Sequence, residues 1–272
     1  MLWGKVIGAG GAGGVVEGWN ISTAVFNQSF SVSAQETSPR GVFFKPDGLK
    51  MYVIGNVGDD VNEYTLSTAW DVSTAVFNQS FSVSAQELTP VGVFFKPDGL
   101  KMYVIGNAGN DVNEYNLSTA WDVSTAVFGQ SFSVAAQEGD PWGMFFNPDG
   151  LKMYVIGTLG DDVNEYTLST AWDVSTAVFN QSFYVGAKET APRGVFFKPD
   201  GLKMYVIGTT SRNAHEYNLS TAWDVSTAVF GQSFSVSAQE LNPFGFFFKP
   251  DGLKMYVIGT TGVDVNEYDL TA

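Results

Sequence analysis

Hydrophobic residues in this chain fall in short runs closed by turn chemistry. Gly41-Val42-Phe43-Phe44 ends at Pro46-Asp47-Gly48, and Met51-Tyr52-Val53-Ile54 ends in the Gly- and Asp-rich stretch from Gly55 to Asp60. β-Branched and aromatic runs bounded by Pro, Asp and Gly predict strands joined by tight turns. A third run, Val61 to Leu66, follows, and after the segment from Ser67 to Ala75 a fourth alternates Phe77, Gln79, Phe81 and Val83 with Asn78, Ser80 and Ser82. The alternation predicts an outermost strand with one wet face. The unbroken Val-Phe-Phe run predicts an innermost strand covered on both sides.

These four runs make a unit that recurs. Pro-Asp-Gly begins at Pro46, Pro97, Pro148, Pro199 and Pro250, and Trp19, Trp70, Trp121, Trp172 and Trp223 keep the same spacing of 51. The unit from Trp70 to Ala120 differs from the next, Trp121 to Ala171, at 11 positions, so 51 − 11 = 40 are identical. A four-stranded antiparallel unit repeated at this length predicts a β-propeller blade. The expected fold is all-β, a five-bladed β-propeller over residues 19–272 behind a glycine-rich leader, residues 1–18. The first unit supplies only an outer strand, Phe26 to Ser33, and the last stops after its third strand, Val265 to Leu270. The N-terminal strand is therefore expected to complete the last blade, so that the ring has no long open edge.

The run Gly41-Val42-Phe43-Phe44-Lys45-Pro46-Asp47-Gly48-Leu49-Lys50-Met51-Tyr52-Val53-Ile54-Gly55 resembles the strand-turn-strand signature of lactonase-like, NHL-like and YVTN-type propellers. The longer unit carrying Leu66-Ser67-Thr68-Ala69-Trp70-Asp71-Val72-Ser73-Thr74-Ala75 is similar to tandem propeller repeats of marine bacterial and bacteriophage proteins. The resemblance covers residues 19–272 and implies the propeller fold. It transfers no catalytic residue, because propellers host enzymes, lectins and scaffolds alike.

Near-identical copies show where the blades differ. Before the inner strand they read Thr37-Ser38-Pro39-Arg40, Leu88-Thr89-Pro90-Val91, Gly139-Asp140-Pro141-Trp142, Thr190-Ala191-Pro192-Arg193 and Leu241-Asn242-Pro243-Phe244, with only the proline shared. The turn between second and third strands also varies, from Asn56-Val57-Gly58-Asp59 to Thr209-Thr210-Ser211-Arg212. The turn after the inner strand changes once, at Asn147, and the long third-to-fourth connection does not change in its four complete copies. Alternate turns of an up-and-down blade lie at opposite ends. One end of the ring is thus variable and the other constant. The variable end is the candidate binding surface, with Arg40, Val91, Trp142, Arg193 and Phe244 expected to ring the channel mouth, and Asp140 and Arg212 beside them. Trp and Arg are favoured contact residues.

Charge and composition exclude other classes. Lys plus Arg number 14 and Asp plus Glu 28, a net charge of −14, which repels phosphate backbones and anionic membrane surfaces. No nucleic-acid or membrane partner is expected. There is no cysteine and only one histidine, His215, so thiolate chemistry is excluded and imidazole chemistry has a single candidate. Gly8-Ala9-Gly10-Gly11-Ala12-Gly13 matches a dinucleotide fingerprint but lacks the helix and second strand that would make it one. Acidic residues such as Glu63 and Asp47 recur in every blade, whereas acid–base catalysis needs two carboxyls in unlike environments. Asp59-Asp60 lacks the spacing of a calcium loop. The reading is a non-enzymatic, monomeric recognition module without cofactor or metal, binding a glycan or surface protein, in an extracellular or virion-associated setting. A purely structural role in a larger assembly such as a phage particle is the alternative, with a glycoside hydrolase or lactonase ranked below both.

Overall fold

The computed structural model describes residues 18–271 as twenty strands in five four-stranded antiparallel sheets. The leader expected at residues 1–18 lies outside this range, apart from Gly18. In the first complete blade the strands run from the axis outward as Pro39–Phe44, Lys50–Gly55, Asp60–Leu66 and Ala75–Ser82. The other blades repeat this order. The last is built from Pro243–Phe248, Lys254–Gly259 and Asp264–Leu270, and its outer strand is Ala24–Ser31, paired from Ala24 opposite Leu270 to Ser31 opposite Asp264. The two ends of the chain therefore close the ring.

The aromatic residues explain why the blades stay together. Tyr52 packs on Phe95 of the next blade at 4.3 Å between ring centroids, and Phe44 on Tyr256 of the preceding blade at 4.3 Å. All four are buried. Burial of aromatic area supplies the main attraction, and the tilted packing adds to it. Each Tyr hydroxyl also needs a partner once buried, and Tyr52 donates to the Trp121 carbonyl at 2.8 Å.

Trp121 belongs to the long connection of the following blade, so this connection docks on its neighbour. Asp122 caps a short 3-10 turn, Val123–Thr125, by accepting the Ser124 N–H at 3.1 Å, and the Gln79 side chain of the preceding blade donates to the same carboxylate at 2.8 Å. Glu63, fully buried, holds the joint from the other side: it pairs with Lys50 at 2.6 Å and accepts from Asn78, Gln79 and the Val123 N–H. At the closure point the same joint is made by Glu267, which accepts from Asn27, Gln28 and the Val72 N–H.

The outer strand departs from the simple alternation expected of it. The register shifts between Glu63 and Tyr64, so that Tyr64 faces Phe77 and Glu63 faces Gln79, leaving Asn78 as a bulge. A bulge re-aims one side chain. Here it lets Asn78 and Gln79, adjacent in sequence, converge on the Glu63 carboxylate, while Phe77 is left partly exposed.

Candidate functional site

The constant end is constant for a structural reason. Gly48 has φ +73°, and a Cβ there would lie 2.4 Å from the Trp70 indole nitrogen. The Pro-Asp-Gly turn and the tryptophan of the same blade are thus fitted to one another. Asp47 accepts the Leu49 N–H at 3.0 Å and pairs with Lys45 at 2.7 Å. The tryptophans themselves sit in left-handed backbone, Trp70 at φ +66°, a conformation bulky residues hold only when packing enforces it. This end encloses a concavity of about 630 Å³ with its open mouth, lined by Phe, Pro and Trp side chains such as Phe43, Pro46 and Trp121. Its lining repeats from blade to blade and carries no charged, amide or hydroxyl side chain to orient a ligand, so it reads as the inner wall of the scaffold.

At the variable end, each inner strand opens with a register shift, between Pro39 and Gly41 in the first complete blade and at the corresponding place in the others. The residue skipped by the pairing is Arg40, Val91, Trp142, Arg193 or Phe244. All five line one concavity of about 350 Å³ at the axis. The bulge turns these side chains out of the ladder and toward the channel. The next residue is glycine in every blade because the inner strands nearly touch: a Cβ on Gly41 would stand 2.9 Å from Ile54 and 3.1 Å from the Val91 carbonyl.

The five side chains do not form a symmetric ring. Trp142 and Phe244 approach to 5.3 Å across the axis. The Arg193 guanidinium lies 3.7 Å from the Trp142 ring centroid and 5.3 Å from Phe244, and that of Arg40 lies 3.9 Å from Phe244 and 5.5 Å from Trp142. Cation–π attraction holds the four together, and Val91 leaves the gap. Burial pulls the Arg193 pKa down to about 10, with Asp140 opposing and Arg40 adding to the fall. Burial lowers Arg40 as well, against the pull of Glu36. Both remain cations at neutral pH.

Asp140 buttresses this cluster. Its carboxylate accepts from the Trp142 indole N–H at 3.1 Å and from the Asn107 and Thr158 side chains. Arg212 stands apart: it is exposed, occupies the left-handed position of its turn at φ +58°, and does not line the axial concavity.

The sequence reading passed over a second set of carboxylates, Glu36, Glu87, Glu138, Glu189 and Glu240, all fully buried at this end. Glu36 accepts the Ser38 N–H at 2.6 Å and the Val57 and Gly58 N–H groups, tying the two variable turns together. The signal available was a glutamate unchanged in all five copies beside otherwise variable positions. Glu138 is pushed above the ordinary carboxyl range by burial, against backbone N–H donors, and its Oε2 has no hydrogen-bond partner among the described residues.

His215 is buried, and its Nε2 lies 2.8 Å from the Ser211 hydroxyl, which also donates to Glu189. The order is Glu–Ser–His. A nucleophilic triad has the carboxylate on the far nitrogen of the imidazole, where it fixes the tautomer, whereas His215 Nδ1 has no hydrogen-bond partner among the described residues. Burial also lowers the His215 pKa, which favours the neutral ring. Among the described residues no group of three or more His, Cys, Asp or Glu is placed to hold a metal ion, and no helix is long and apolar enough to cross a membrane.

Comparison with known proteins agrees on the class. No protein-family model matches the chain. No curated protein sequence matches it either. Solved structures do: the nidogen/laminin complex at TM-score 0.56 and 12% identity, over 86% of this chain and 77% of that one. A functionally unknown protein of Desulfotomaculum acetoxidans matches at TM-score 0.52 and 16% identity, over 87% and 71%. A periplasmic gluconolactonase of Pseudomonas aeruginosa matches at 0.50 and 15%, over 86% and 69%. At these identities the likeness shows the β-propeller fold, of which this chain's five sheets are the blades, and leaves the function to the site.

Proposed function

We propose that this propeller is a non-enzymatic recognition module that takes one ligand, a glycan or a surface protein, at the axial mouth of its variable end. The observation that carries this reading is the break in fivefold symmetry. Blades that repeat their core nearly residue for residue place Arg, Val, Trp, Arg and Phe at one structural position, and those residues meet on the axis. A scaffold alone has no use for four kinds of side chain at five equivalent positions, whereas a single-ligand site does. Against catalysis stand the carboxylates, which recur blade by blade, and the Glu189–Ser211–His215 order. A surface protein as that ligand is supported by exposed apolar residues on the surrounding turns, Val57, Leu88, Leu159 and Leu241.

A glycan array probed with the wild-type protein and with Trp142→Ala tests the first reading. Capture by the wild type that the variant loses supports it. Capture unchanged in the variant, or turnover of glycoside or lactone substrates by the wild type, overturns it.

A further inference from the structure

The chain holds ten ion pairs among its described residues, and every cation in them is a lysine. Among the described residues Arg40 and Arg193 have no carboxylate within 4.0 Å, in a protein whose acids outnumber its bases two to one. Their faces are covered by Trp142 and Phe244. Their edges are not used: Arg40 Nε and Arg193 Nε and Nη1 are buried without any hydrogen-bond partner among the described residues. A guanidinium is a planar fork of donors, and buried donors left unpaired are costly. Stacking satisfies the faces of such a group and leaves only its in-plane N–H groups to be met.

The acids that could have met them are committed elsewhere. Glu36 and Glu189 serve backbone N–H groups of the variable turns. Asp140 serves Trp142, Asn107 and Thr158. Two cations drawn together on the same aromatic pair repel one another, and the partner that offsets both is an anion with two oxygens in one plane, the shape for which the guanidinium fork is suited.

We propose that the Arg40–Arg193 pair is the receptor for a single carboxylate group of the ligand, seated on the axis between the two unpaired donor edges. This rests on the axial-site reading above and names the chemistry of what enters. One carboxylate binds per ring, since two blades of five contribute an arginine. Val91 leaves the side of the mouth through which the rest of the ligand projects, and Trp142 and Phe244 offer apolar edges beside the charged group.

The test is an NMR titration of the full chain that follows the three arginine Nε–H signals with acetate, D-glucuronate, N-acetyl-L-glutamate and, as a neutral control, methyl β-D-glucoside. The expected result is saturable shifts at Arg40 and Arg193 but not at exposed Arg212, with one site per chain for each carboxylate and none for the glucoside. Arg193→Gln should weaken binding about ten- to hundredfold, the loss of a charge-assisted hydrogen bond. Arg193→Lys, which keeps the charge and removes the fork, should fall between. Stronger binding of glucuronate assigns the group to an acidic sugar, and stronger binding of N-acetyl-L-glutamate to an acidic peptide.

Absence of saturable shifts with all three carboxylates overturns the proposal. Shifts unaffected by Arg193→Gln in a variant that melts cooperatively do so as well. If the carboxylates are silent while a neutral array glycan is still lost in Trp142→Ala, the carboxylate inference falls and the axial site stands. If Trp142→Ala changes neither, both fall.

Discussion

The two ends of this ring are built from the same blades and are held by opposite means. At the constant end, side chains are fitted to one another: Gly48 under the Trp70 indole, Asp122 over its 3-10 turn, the Trp121 carbonyl against Tyr52 of the adjacent blade. At the variable end the turns are tied by a buried glutamate that contacts backbone N–H groups, as Glu36 does. Backbone hydrogen bonds do not depend on which side chains the turn carries. The variable turns can therefore change residue without losing their tie, and the constant turns cannot. Sequence constancy at one end reports geometry, and variation at the other reports freedom that the axial position has used.

Ionisation follows the same division. The caps Asp71, Asp122, Asp173 and Asp224 are held below the ordinary carboxyl range, chiefly by the serine hydroxyl two residues on. At the variable end Asp59, Asp111, Asp161, Asp264 and Glu138 are held above it by burial.

Opening the ring should have the largest effect. Removal of residues 1–33 takes away the outer strand Ala24–Ser31 and the Trp19 contact on Gly252, and should lower the melting temperature more than any single substitution. A truncated chain that melts with the wild type would remove closure from the account.

Next in size is the constant end. Trp121→Ala empties a site 8% exposed between Phe95 and Tyr52 and should cost about 3–5 kcal/mol in denaturant unfolding. A loss below about 1 kcal/mol would show that the connection is not docked as described.

The smallest effect is in pH response. A carboxyl with a lowered pKa in the folded state lends stability above its ordinary value that is lost as pH falls through the folded value. One with a raised pKa does the reverse: the folded state gains as pH falls from the folded value toward the ordinary one. Carboxyl NMR titration should find Asp122 titrating below a peptide aspartate and Asp111 above it. The same midpoint at both would erase the contrast between the ends.

Much of this was legible in the sequence. A 51-residue period, four strand runs per unit and a first unit that supplies only its outer strand pointed to the blade count and the closure. Turn alternation alone places Arg40, Trp142, Arg193 and Phe244 at one end. Three things were hidden. The bulge at Asn78 breaks a pattern that reads as plain alternation, because a one-residue insertion leaves residue types unchanged while shifting register. Glu36 and its equivalents look like surface acids, since burial of a carboxylate depends on backbone N–H groups that sequence does not mark. The docking of Trp121 on the neighbouring blade is a contact between units, and the repeat displays only what lies within one.

The central claim is that the axial residues of the variable end serve binding and not the scaffold. It is tested most directly in a ring carrying Arg40→Val, Trp142→Val, Arg193→Val and Phe244→Val, so that every blade presents the valine already found at Val91. The account predicts a cooperative melting transition within a few degrees of wild type, roughly the shift of a surface change, together with complete loss of the ligand signals seen at the axis. A ring that unfolds, or one that still binds with wild-type affinity, would contradict it.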